Sequence, residues 1–550
     1  MHALATLMTE RISSGLRRKS IVLPSQWAEA YREMGPPYPG RWSFKRHPWL
    51  RGMHDSEAEF NVGQKAAQMG FTETVLNIVF YYIDIHGVDC LYVLPAKTPD
   101  ASDFSAARFD PAIESSAHLG KIFTDVKNVG HKRAGQANLY IRGSKSRAGL
   151  KSVPVGVLVL DEKDEMRQEN IPLARERLSG YSMALTWEIS TPTVDDKGIN
   201  TTFKTSTQEE FFFFCPGCGK HINLEFPRNY EICGEHSDDP DVAKSFLKCH
   251  LCGKELVHEQ KWEFLANGIW VPKVKEKTMR GFGISQMYSS AKGATPSNFI
   301  KAYFLAQTNP ADEQEFHNSK LGVPHIVDGA KLCDADLRDC MGGFLKRFYE
   351  ERSDRLITMG IDVGNWLHYE VDLWKLAPDS VNVNTHAKPS VILEGKCRHF
   401  EELDALMDAF KVKHAVIDSQ PEKRKAREFA ERWFGKVSLC QYSRGIAGKQ
   451  IHVNEDELTV SVDRTSWLDL SLSRFRSKMI LLPKDLSNEY KEHLKSLVRI
   501  YEKDSDGNLI GKYIKGDNHH DHFAHSRNYA EIALPLAVST GVSQNMESPA

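Results

Sequence analysis

The 550-residue chain has no apolar run approaching ~20 residues, so no helical membrane span is expected. Met1 to Arg18 lacks the apolar core of a signal peptide. An excess of either charge is missing too. With a formal net charge of −2, any contact with nucleic acid must come from local basic patches, not from a global field. There is no internal repeat and no low-complexity tract. A disulfide framework is not expected either: ten cysteines are spread over the chain, and with no export signal they read as reduced thiols, four of them paired for a metal. What is present is globular material. Hydrophobic residues at 41% against 26% charged leave enough for real cores, and the length suits two to four domains.

Residues 1–55 are rich in Arg, Pro and Trp and read as a lead-in with short helices packed on the first domain. Residues 56–204 alternate apolar runs with helical patterns, as an α/β sheet domain does. Residues 205–275 break that pattern with paired cysteines and four consecutive phenylalanines, Phe211 to Phe214. Residues 276–345 look helical and connecting. A second α/β pattern occupies 346–536, and 537–550 read as a loose tail.

Three short apolar strands run straight into carboxylates. Val155–Leu160 ends in Asp161-Glu162, Leu356–Ile361 in Asp362, and His414–Ile417 in Asp418. Buried parallel strands have this composition, and their carboxyl ends are where α/β sheets place chemistry. An Asp-Glu pair after such a strand suits an NTPase: Asp161 for the Mg²⁺ shell, Glu162 for the attacking water. Upstream, Lys65-Ala-Ala-Gln-Met-Gly-Phe-Thr72 precedes an apolar helical run. Gly70 and Thr72 fit a phosphate loop, but Phe71 stands where the lysine is usual, and Lys65 would have to reach in from the front. Downstream, Trp187–Thr193 reads as a strand ending in a polar turn, with Ser190 and Thr191 placed to sense a γ-phosphate.

Cys215-Pro-Gly-Cys218 and Cys249-His-Leu-Cys252 are two knuckles, with Gly217 and Gly253 expected to give the turns. Four thiolates make a closed, structural Zn²⁺ site. In the C-terminal half, Asp362 is followed by a hairpin pattern at Tyr369–Trp374, and Asp418 is expected on an adjacent strand. Carboxylates converging from separate elements can hold two Mg²⁺ or Mn²⁺ ions for phosphodiester cleavage. A third ligand is expected from a helix opening in 517–525. Asp517, Asp521 and His525 are the candidates, in a segment with four histidines and the later Glu531; Phe523 and Tyr529 read as packing residues. The basic helix after Asp418, Pro421–Trp433, offers a face for phosphates.

In this order, KAAQMGFTE, GSKSRAGLKS, VLVLDEKDEM and ISTPT resemble the large terminase subunit of tailed bacteriophages. The lambda-like branch, in which the phosphate-loop lysine is moved to the front, is the nearest pattern. The resemblance spans nearly the whole chain. It implies an ATPase core at 56–204 with a zinc-ribbon-like insertion, then an RNase H-like nuclease. ATP with Mg²⁺ would sit on Lys65, Gln68, Gly70, Thr72, Asp161 and Thr191, with Glu162 catalytic; cutting would fall to Asp362, Asp418 and Asp521, with His525 as a further metal ligand. Arg46–Leu50 would contact adenine, and Arg142, Arg175 and Arg177 remain candidates for an arginine finger. Partners implied are duplex viral DNA, a small terminase subunit and the prohead portal, with several copies in a ring, in the host cytoplasm. The rival readings are a helicase–nuclease, which should show helicase motifs after the STPT turn, and a zinc-ribbon DNA-binding protein with a decayed motor.

Overall fold

The computed structural model describes residues 23–36, 38–124, 127–151, 153–347, 355–376, 387–443, 445–446, 448–503 and 509–544. Residues 1–22 of the expected lead-in and 545–550 of the expected tail lie outside them. The chain divides into two units, Met1–His325 and Ile326–Ala550.

The first unit is built on a parallel sheet. Its central strands are β1 (Phe60–Lys65), β2 (Cys90–Leu94), β3 (Ala137–Gly143), β4 (Val157–Asp161), β5 (Leu185–Ser190), β6 (Glu209–Phe214) and β7 (Arg280–Ile284). They lie in the order β6-β7-β1-β5-β4-β2-β3, all parallel, with short antiparallel strands at the edges. Strands β2, β4 and β5 are buried throughout, as two-sided coverage requires.

Two of these strands fall outside the expected 56–204 core. β6, with its run of phenylalanines, lies in the segment read as the insertion, and β7 in the segment read as a connector. Together they extend the sheet beyond β1. The helix α1 (Phe71–Tyr81) leaves β1 through a short loop. It packs so closely that a Cβ at Gly63 would lie 2.6 Å from the Phe71 ring. The described part of the lead-in packs here: Arg32, on the end of the Pro24–Tyr31 helix, is buried against Asn77 and Glu73 of α1.

Lys261 is buried in this unit and donates from Nζ to the Ser289 carbonyl at 2.8 Å. Burial pushes its pKa down to about 7, against about 10.4 for a free lysine. Between those values the unfolded chain binds a proton that the folded one does not, so this lysine makes stability rise with pH across about 7 to 10. Lys261→Met should raise the melting temperature at pH 7 and flatten that rise, as melts at pH 7 and 9 would show.

The second unit holds a mixed sheet of β8 (Arg355–Val363), β9 (Leu367–Lys375), β10 (Lys388–Cys397), β11 (His414–Asp418), β12 (Val437–Tyr442), β13 (Ile451–Asn454) and β14 (Thr459–Val462). The order is β10-β9-β8-β11-β12-β14-β13. β8, β9 and β10 form an antiparallel meander, whereas β8, β11, β12 and β14 run parallel. The helix α2 (Lys423–Arg432) follows β11.

A long helix, α3 (His522–Gln544), crosses β8. It continues past Leu536 into the segment read as a loose tail. A Cβ at Gly360 would meet backbone atoms of Ser526 and Ala530 at 2.0 and 2.2 Å, so glycine is what lets α3 lie on the strand. Phe523 and Tyr529 are buried beneath it, as expected. Among the described residues, Glu531 is not part of a metal cluster. It is fully buried and paired with Arg474 and Arg527, each at 2.6 Å, and Arg527 also holds Glu370 at 2.6 Å and Asp372. Buried charges of this kind are tolerated because each is paired with an opposite one.

Candidate functional site

At the carboxyl end of the first sheet, the loop between β1 and α1 is clamped from three sides. The Ala66 amide donates to Ile284 of β7 at 2.9 Å, the Ala67 amide to Ser319 at 2.8 Å, and the Trp49 indole to the Met69 carbonyl at 3.0 Å. Gln68 and Gly70 both take left-handed backbone, with φ of 62° and 84°. Leu50 lies under Gly70, where a Cβ would come within 2.7 Å of it. Trp49 and Leu50 of the segment expected to meet adenine therefore buttress the loop from below.

Phe71, at the usual lysine position, is fully buried against Gly63 and points into the core. Lys65 comes from the end of β1 instead. Its Nζ lies 3.1 Å from Glu162 Oε1 and 3.3 Å from Thr191 Oγ1. Three residues far apart in sequence thus meet around one ammonium group.

Asp161 ends β4 and is buried. Burial, then the neighbouring Glu162 charge, pushes its carboxyl up to about 7. Tyr92 donates to its Oδ2 at 2.6 Å, and Thr72 stands beside the same carboxyl. Its Oδ1 is buried with no hydrogen-bond partner among the described residues. A buried carboxylate oxygen left unsatisfied, next to a hydroxyl on a helix N-terminus, suits a divalent cation. Glu162 itself sits at φ 58°, a strained conformation for a side chain other than glycine. It borders a cavity of about 550 Å³ with Lys145, Arg108 and Phe104. Ser190 reaches Glu162 Oε2 at 3.5 Å.

The three arginines considered for a finger are committed elsewhere. Arg142 donates to the Gly130 and Ile141 carbonyls, Arg175 pairs with buried Glu188, and Arg177 donates to the Lys151 carbonyl at 2.6 Å.

The four paired cysteines come together: one Sγ from each of Cys215, Cys218, Cys249 and Cys252 lies within 4.8 Å of the others. The two knuckles repeat one hydrogen bond, Gly219 amide to Cys215 carbonyl and Gly253 amide to Cys249 carbonyl, both 2.9 Å. Gly219 and Gly253 are the left-handed turn residues, with φ of 68° and 73°. Gly217 is not a turn glycine as expected. Its amide points at Cys215 Sγ at 3.3 Å, and its missing Cβ leaves room for Lys254.

In the second unit, Asp362 and Asp418 stand at the ends of adjacent parallel strands, one residue beyond the paired Ile361 and Ile417. Burial, with the Asp362 charge adding to it, raises the Asp418 pKa. The 517–525 segment departs from expectation. Asp521 is engaged elsewhere: Oδ1 lies 2.5 Å from Lys515 Nζ and Oδ2 3.3 Å from His525 Nε2. These two partners hold its carboxyl well below the usual range despite its burial. His525 also meets Tyr442 and Arg464. The residue brought to Asp362 is His522, with Nδ1 2.8 Å from Asp362 Oδ2. The hydrogen bond to Asp362 raises the His522 pKa, and burial lowers that of neighbouring His368 to about 4.

The α2 helix is a weak phosphate platform. Arg424, Lys425 and Arg427 pair with Glu428, Glu422 and Glu431 on or beside the helix, and Arg432 with Asp404 of the Phe400–Ala409 helix. Such exposed pairs contribute little, but they neutralise the face.

Residues 37–270 match the family model described as phage terminase large subunit gpA, ATPase domain. This segment is similar to a terminase ATPase domain. Among solved structures, the large terminase from a thermophilic bacteriophage is 11% identical, with 89% of this chain and 98% of that chain covered and a TM-score of 0.32. The large terminase ATPase domain of Thermus phage P74-26 is 12% identical over 50% and 91%, at 0.31. The large terminase nuclease of thermophilic phage G20c, solved with bound magnesium, is 15% identical over 36% and 94%, at 0.22. No curated protein matches the chain.

Within the matched segment, Arg108 and Lys145 were not singled out by sequence, although both line the cavity beside Glu162. Lys145 lies in the GSKSRAGLKS segment, so its motif was visible while its direction was not. Arg108 carries no pattern at all; it reaches the cleft through an irregular helical stretch and lies 3.5 Å from Glu73.

Proposed function

We propose that the chain is the large subunit of a viral DNA-packaging motor of the lambda-like kind, which hydrolyses ATP to drive duplex DNA into a prohead and cuts concatemeric DNA. The observation that carries the reading is Lys65, delivered from the strand end onto Glu162 and Thr191 while Phe71 fills the core. It removes the one sequence feature that favoured a decayed motor.

In this reading Lys65, Gln68, Gly70, Thr72, Asp161 and Thr191 hold the nucleotide. Asp161 and Thr72 would carry Mg²⁺, which when bound draws charge from the phosphates. Phosphate oxygens compete for the Lys65 ammonium and release Glu162. The freed carboxylate then orients and polarises the attacking water. Ser190 and Thr191 follow the γ-phosphate through the same contacts and pass its loss to β5.

Asp362 and Asp418 would hold Mg²⁺ or Mn²⁺ for cutting, and their adjacency on neighbouring strands suits two ions sharing a phosphate. Asp521 serves this site by placing His525 toward Asp418 rather than by ligation. The cysteine cluster takes Zn²⁺ and closes the turns beyond β6. The expected partners are a small terminase subunit, the portal of the prohead and further copies of the chain in a ring, in the host cytoplasm. Among the described residues no helix is long and apolar enough to cross a membrane.

Translocation is tested by displacement of a third strand from a DNA triplex. ATP-dependent displacement supports the motor; ATP turnover with the triplex left intact would contradict it. For the cysteine cluster, one Zn²⁺ per chain should be released by a strong chelator after mild denaturation, with a lower melting temperature for the first unit. Structural zinc sites contribute folding free energy directly.

A further inference from the structure

Two imidazoles stand at the Asp362 carboxylate. Asp362 and His368 face each other across the β8–β9 hairpin as a directly opposed pair, which puts both side chains on one face of the sheet. His522 opens α3 above them. Its ring stacks on that of His368, with centroids 4.6 Å apart and planes 9° from parallel. One ligand atom from each of Asp362, His368 and His522 lies within 4.8 Å of the others.

A plain Asp–His ion pair accounts for His522 but not for His368. His368 is buried, and its Nδ1 has no hydrogen-bond partner among the described residues. Its Nε2 faces Glu489 Oε1 at 3.8 Å, and Glu489 is fixed by Lys396 at 2.7 Å. A histidine that ligates a metal characteristically donates its other N–H to a carboxylate; Glu489 stands on that side of His368, at an approach longer than a hydrogen bond.

We propose that Asp362, His368 and His522 form a one-ion site that selects a borderline transition-metal ion, such as Co²⁺ or Zn²⁺, over Mg²⁺. Two imidazoles and one carboxylate suit ions of that class, whereas Mg²⁺ prefers oxygen ligands and retained water. The site shares Asp362 with the nuclease reading and so deepens it: one ion of the cutting pair would be held partly by nitrogen, Asp418 serving the other.

The probe is Co²⁺, titrated calorimetrically into the full chain carrying a single Zn²⁺ equivalent, in its cysteine cluster, in excess Mg²⁺, with proton NMR of the paramagnetically shifted imidazole N–H signals. The wild type should bind one Co²⁺ and show shifted signals from two histidines. His522→Asn, which keeps a polar group beside Asp362, should weaken Co²⁺ by about tenfold or more and lose one signal. His520→Ala should bind as the wild type does, showing that the segment still folds. Unchanged Co²⁺ affinity in His522→Asn, or no shifted imidazole signal in the wild type, overturns the site. The nuclease reading fails separately. If Co²⁺ binds with both signals but no ion supports plasmid cutting, this site stands and the nuclease falls. If Mg²⁺ supports cutting while Co²⁺ binding ignores His522, the nuclease stands and this site falls.

Discussion

Glu162→Gln should reduce ATP turnover by about 10²–10⁴-fold, the usual contribution of a positioned general base, while leaving nucleotide binding within a few fold. The residue is isosteric, so the αL turn after β4 and the contact with Ser190 are kept. What is lost is the charge. Lys65 would no longer be held by Glu162 and would be free for the phosphates at all times. Binding should therefore hold or tighten slightly as turnover collapses. Lys65→Ala separates the two effects, because it should weaken binding as well. A Glu162→Gln protein with full ATPase activity would remove Glu162 from the mechanism.

Asp362→Asn should abolish metal-dependent cutting of plasmid DNA. The charge removed is one on which a divalent ion would depend, and ions at such sites supply several kcal/mol of transition-state stabilisation, so a loss of about 10³-fold or more is expected. Asparagine keeps the side-chain shape at the end of β8 and can still meet His522. ATP turnover should be unaffected, because Asp362 lies in the second unit and the Lys65–Glu162 site in the first. Gel analysis of supercoiled plasmid with Mg²⁺ and with Mn²⁺ checks the first half, and a phosphate-release assay on the same sample checks the second.

Much of the arrangement was legible in the sequence because it depends on local pattern. Val157–Asp161 and His414–Asp418 are apolar runs that end in acids, Arg355–Val363 carries Asp362 one residue before its end, and the sheets place all three acids as that pattern implies. The cysteine pairs were legible for a similar reason, since each knuckle is a local turn. Strands β1 and β7 were not. Phe60–Lys65 contains Asn61, Gln64 and Lys65, and is buried only because β5 and β7 flank it. Arg280–Ile284 carries two glycines, which reads as a connector. Gly281 is there because a Cβ would come within 1.8 Å of the Ser206 hydroxyl.

The third member at Asp362 was missed for a different reason. Spacing within 517–525 favoured Asp521 and His525, four residues apart on one helical face. The helix turns that face toward Lys515, Tyr442 and Arg464, and it is the first residue of α3 that reaches Asp362. His368 could not be found from sequence, because its role depends on the register of the β8–β9 hairpin.

The most direct test of a motor and a nuclease joined in one chain is to measure ATP hydrolysis and plasmid cutting on the same preparations of wild type, Glu162→Gln and Asp362→Asn. The expected result is a double dissociation: Glu162→Gln cuts but does not turn over ATP, and Asp362→Asn turns over ATP but does not cut. Loss of both activities in either variant, or retention of both in either, would contradict two separate sites assigned to these residues.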